Sequence, residues 1–100
     1  MDELKYMEFM QDHNVEISEV MQSVSESIFS LMMGKGDIDT VIHAATELKI
    51  TAKKAVFEAP NDYKAAHELY IESMDNLYQA AAHTINYIKI VSPGKLGEQL

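Results

Sequence analysis

Helix breakers are nearly missing from this chain. Up to Val91, glycine or proline interrupts it at only two places, "GKGD" at 34–37 and "APND" at 59–62, and "SPG" at 92–94 closes the last periodic stretch. Between these marks the apolar residues recur at steps of three and four, the spacing of one helix face, with few strand-like alternations. So sparse a punctuation leaves room for three helices and two tight turns. The spacing predicts helices over about 2–33, 37–58 and 62–91, and a flexible C-terminal tail over 92–100.

In the first helix Met7, Asn14, Met21 and Ile28 alternate with Met10, Ile17, Val24 and Leu31, which is a heptad seam with one amide in it. The positions opposite, Asp12, Glu19 and Glu26, are acidic, and Ser18, Ser25 and Ser27 on the flanks would let a neighbouring helix approach closely. Asp37 is placed to cap the second helix, with Asp39 in its first turn and Lys49, Lys53 and Lys54 toward its C-terminal end, as the helix dipole favours. The second helix is expected to bury Ile38, Val41, Ile42, Ala45, Leu48, Ala52, Ala55 and Val56, a small-residue face. The third, capped by Asn61 or Asp62, carries Ala66, Tyr70, Met74, Leu77, Ala81, Ile85 and Ile88 on one stripe.

Three helices joined by short turns give an all-α, up-down-up three-helix bundle in a single domain over residues 1–91. At 1.5 Å per residue the outer helices span about 45 Å and the middle one about 30 Å. The start of the first and the end of the third then overhang, and both ends are apolar: Leu4, Tyr6, Met7, Phe9 and Met10 at one, Ile85, Tyr87, Ile88 and Val91 at the other. Uncovered patches of that kind find partners, and the economical solution is a homodimer. Met7, Met10, Asn14, Ile85 and Ile88 are its expected interface, with Asn14 fixing register because an unpaired amide in the seam is costly.

Sixteen acidic and eight basic side chains leave a net charge of −8, and every basic residue is lysine. Such a chain repels nucleic acid and lacks the two-point guanidinium contact. Cysteine is absent, which removes disulfides, thiolate metal sites and thiol nucleophiles. No run of eighteen apolar residues occurs, so nothing is expected to cross a membrane, and a cytoplasmic location follows.

Residues suited to catalysis are scarce. His13 with Glu16 and His43 with Glu47 stand one helical turn apart, but Glu-x-x-His, the spacing of carboxylate-bridged bundle sites, does not occur. "MMGKGD" lacks the Gly-Lys-Ser/Thr of a phosphate cradle. No catalytic activity and no cofactor are expected. The leading expectation is a small acidic module that binds another protein through Asp12, Glu16, Glu19 and Glu26. The alternatives are a phage- or mobile-element-encoded inhibitor that mimics nucleic acid to block a host defence protein, and a carboxylate/histidine metal-binding bundle.

The segment "APNDYKAAHELYIESMDNLYQAAAHTI", residues 59–85, resembles a pattern in small uncharacterised all-helical domains of Gram-positive bacteria and their surface lipoproteins, through Pro60, Ala66, His67, Tyr70 and Tyr78. The resemblance implies a helical hairpin and no known chemistry.

Overall fold

A computed structural model describes residues 1–99 of the chain, with side chains described up to residue 91. Three helices, α1 (Glu3–Met32), α2 (Ile38–Lys53) and α3 (Lys64–Gln99), run up, down and up. α1 starts where the Asp2 carboxylate accepts the Lys5 backbone N–H at 2.8 Å, and α2 where Asp37 accepts both the backbone N–H and the hydroxyl of Thr40. Between them the turn uses Gly34 and Gly36, both at φ +78°, a conformation an L side chain resists.

α2 is shorter than the sequence spacing predicts, ending at Lys53 instead of 58. Its last turn tightens, with Lys54, Ala55 and Val56 N–H groups bonding back three residues. Pro60 disfavours helix at the residue before it, and Phe57 turns inward against Tyr6, Phe9 and His67. A single 3-10 turn, Asn61–Tyr63, begins at Pro60 without a side-chain cap and leads into α3. α3 continues past Val91, where the spacing placed its end; the tail expected over 92–100 lies outside the residues whose side chains are described.

α2 packs against both neighbours, while the backbones of α1 and α3 stay apart. The core is Ile17 and Val24 from α1, Val41, Ala44, Ala45 and Leu48 from α2, and Met74, Ala81 and Ile85 from α3, with Ala55 below. Alanines on the middle helix let both outer helices come close.

The inward stripe of α1 differs from the heptad count in its lower half. Tyr6 and His13 are buried, whereas Met7 and Asn14 are exposed. On α3 His67, not Ala66, takes the inward position. The overhang expectation also needs correction at both ends. Phe57, Tyr63 and His67 cover Tyr6 and Phe9, and Ile85 and Ile88 are buried within their own chain. Leu4, Tyr87 and Val91 do remain exposed.

Candidate functional site

Two features stand out once the helices are placed: a buried polar cluster at one end and an exposed face that carries no charge.

The cluster forms where α2 ends. His13 donates from Nε2 to the Thr51 carbonyl at 2.7 Å, and its Nδ1 lies 2.6 Å from the Tyr70 hydroxyl. His67 repeats the arrangement with the helices exchanged: Nε2 to the Ala55 carbonyl at 2.7 Å, Nδ1 to the Tyr6 hydroxyl at 3.1 Å. A carbonyl only accepts, so each Nε2 carries its hydrogen, and each Nδ1 then accepts from a phenol. Carbonyls at and just beyond a helix C-terminus have few intrahelical donors, and here two imidazoles supply them. Tyr6 stacks on Tyr63 at 5.4 Å, and Phe57 meets Phe9 edge-on at 4.8 Å. Burial raises the hydroxyl pKa of both Tyr6 and Tyr70, and the neighbouring phenols Tyr63 and Tyr6 add to it, respectively. With both ring nitrogens of both histidines engaged, the cluster ties three helix ends together and offers no spare acid or base.

The exposed face lies between α1 and α3. Projected at 3.6 residues per turn, the flank of α1 beside its buried stripe carries Met7, Gln11, Asn14, Ser18, Met21, Ser25, Phe29 and Met32. The facing flank of α3 carries Ala66, Leu69, Ser73, Leu77, Ala80, Thr84, Tyr87 and Val91. From Leu4 to Val91 neither flank holds an Asp, Glu or Lys. Where the backbones separate, a groove of about 190 Å³ opens, walled by Met21, Ser25 and Ile28 on one side and Leu77, Ala80 and Thr84 on the other, with Leu48 at its floor. Met32 is 74% exposed, and Phe29 and Leu69 are each 65% exposed.

The acidic residues singled out in the sequence lie elsewhere. Asp12, Glu19 and Glu26 are exposed on the outer side of α1, Glu26 accepting from the Gln22 amide at 2.9 Å. Glu16 faces α2 and pairs with the Lys54 ammonium. Of the expected interface set, Met7, Met10 and Asn14 lie on or beside the uncharged face, and Ile85 and Ile88 lie inside. His13 has no nitrogen left to share a metal with Glu16, and among the described residues no three His, Asp or Glu side chains converge as a metal site. No described helix is long and apolar enough to cross a membrane.

Sequence reasoning missed the α3 half of this face. Its signal was present in the seven-residue series Ala66, Ser73, Ala80, Tyr87, which matches the period of Met7, Asn14, Met21, Ile28. Comparison with family models, curated proteins and solved structures returns no match, so the reading of the face rests on its geometry.

Proposed function

We propose that this chain is a small acidic protein-binding module that works through association, not catalysis, and that the uncharged α1–α3 face is its binding surface. One observation carries the reading. Two adjacent helix flanks, each about 40 Å long by helix rise, hold no charged residue between Leu4 and Val91, although charged residues make up 24% of the chain. Depletion of charge with enrichment of methionine and aromatics marks the centre of protein interfaces. Methionine adds a soft, adaptable surface suited to docking. The acidic residues Asp12, Glu19 and Glu26 would then form a solvated crest outside the contact, and Glu16 a pair with Lys54 within the chain.

The test is site-specific photo-crosslinking in cells that express the chain. A photoreactive residue at Ala80, in the groove, is expected to give discrete protein adducts, and one at Glu19, on the crest, none. Adducts from Glu19 alone would move binding to the acidic crest, as the nucleic-acid-mimic reading requires. Silence at both positions would remove the binding role altogether.

A further inference from the structure

We infer that the occupant of the uncharged face is a second copy of this chain, seated so that α1 of each protomer lies over α3 of the other. This rests on reading the face as the binding surface, and it adds the identity of the partner. The first support is register. α1 and α3 run parallel, and their seven-residue series lie at matching heights: Tyr6, beside Met7, bonds His67, beside Ala66, and Met21 shares a groove with Ala80. A two-fold axis running along the bundle, in the plane of the face, places each series over the other. Met7 then meets Ala66, Met21 meets Ala80, and Asn14 meets Ser73. Met7 and Met21 are set against alanines, Asn14 is set against a hydroxyl, and at the fourth level Ile28 meets Tyr87. Ser73 donates its hydroxyl hydrogen to its own Leu69 carbonyl at 3.0 Å, so its lone pairs are left for the Asn14 amide. An isologous contact of this kind requires a patch that is complementary to itself, and the two series supply a large–small or amide–hydroxyl match at three of their four levels.

The second support is area. The face is about 40 Å long by helix rise on a bundle 18 Å wide, so it offers roughly 700 Å², close to the ~800 Å² each partner loses in a standard interface. The third support is charge. Two chains of −8 repel, and this arrangement limits that repulsion by keeping Asp12, Glu19 and Glu26, and likewise Glu68, Glu72 and Asp75, on outward sides.

Sedimentation equilibrium on the full chain at tens of micromolar tests the inference. The expected mass is twice 11.3 kDa. Ala80→Glu, which would bury a charge without a partner, is expected to weaken association by about ten-fold or more while leaving helicity unchanged. Ser73→Lys, on the same face, is expected to do the same, and Glu19→Lys to leave a dimer. Raising salt should hold or tighten the pair, since it screens the repulsion between acidic chains. A wild-type chain at monomer mass overturns the inference, as does a dimer that tolerates both face variants. If that monomer still gives adducts of a different protein from Ala80, the second copy is wrong and the binding face stands. If Ala80 also gives no adduct, both fall.

Discussion

His13 and His67 are each held at both ring nitrogens, and the order of donation fixes what each neighbour can do. Thr51 and Ala55 take the Nε2 hydrogens, so Tyr70 and Tyr6 must give theirs to Nδ1. Removing one imidazole strips a carbonyl and a phenol of their partners and opens a void among packed rings. His67→Ala should therefore cost about 2–4 kcal/mol in urea unfolding. Tyr6→Phe keeps the ring and removes only the hydrogen bond, so about 1–2 kcal/mol is expected. Equal losses for the two variants would mean that ring packing contributes nothing beyond the hydroxyl. The phenols also set an alkaline limit. A phenolate cannot donate to Nδ1, and burial raises both hydroxyls above the ordinary 10.0. For a group whose folded pKa is raised, the stabilisation is complete below the unfolded value and is lost as pH climbs through the folded one. Urea midpoints should thus hold up to about pH 10 and fall beyond it. In Tyr6→Phe the fall should be shallower, with fewer tyrosines titrating late by absorbance.

At the scale of the element, the turn between α1 and α2 is defined by two glycines and one carboxylate. Gly34 adopts φ +78° with nothing within 4 Å of where a Cβ would stand, so Gly34→Ala isolates backbone strain from crowding and should cost about 1–2 kcal/mol. Asp37 accepts two hydrogen bonds from Thr40, which lower its carboxyl pKa below 3.8. With a lowered folded pKa, its stabilisation is present above the unfolded value and fades as pH falls through the folded one. Asp37→Ala should accordingly lower the thermal midpoint at neutral pH and lose its effect in strong acid, with circular dichroism as the readout. The turn and both its flanking helices were legible in the sequence because glycine and an N-cap aspartate leave a local signature. The rotation of α1 was less so. A heptad count anchored on Met10, Ile17, Val24 and Leu31 sets Met7 and Asn14 in the seam, whereas the chain buries Tyr6 and His13, because a histidine with two partners can occupy a core position that an unpartnered one cannot. Those partners lie 38 and 57 residues away, beyond the reach of periodicity. α2 ends earlier than its spacing predicts for a related reason: nothing local breaks the helix before Pro60, and the aromatic pocket of Tyr6, Phe9 and His67 that draws Phe57 inward exists only when α1 and α3 meet.

The molecule as a whole is a thin rod, 57 × 18 × 15 Å, with its charge on the outside and little of it paired. Among the described residues two ion pairs occur, Glu16 with Lys54 and Glu58 with Lys64, and both are exposed. Exposed pairs contribute about 0–1 kcal/mol, so screening them costs little. The self-repulsion of a net −8 chain, by contrast, is spread along both outer helices and acts against every compact arrangement. The two terms oppose each other, and eight uncompensated charges against two exposed pairs favour the repulsion as the larger. Moderate sodium chloride should raise the thermal midpoint by a few degrees above its low-salt value. Glu19→Lys should produce a similar rise at low salt by taking the net charge from −8 to −6, and that gain should vanish once salt has already screened the crest. Because Glu19 lies away from both the aromatic cluster and the uncharged face, the comparison isolates repulsion from packing. A midpoint that falls with salt would mean that the two exposed pairs outweigh eight uncompensated negative charges.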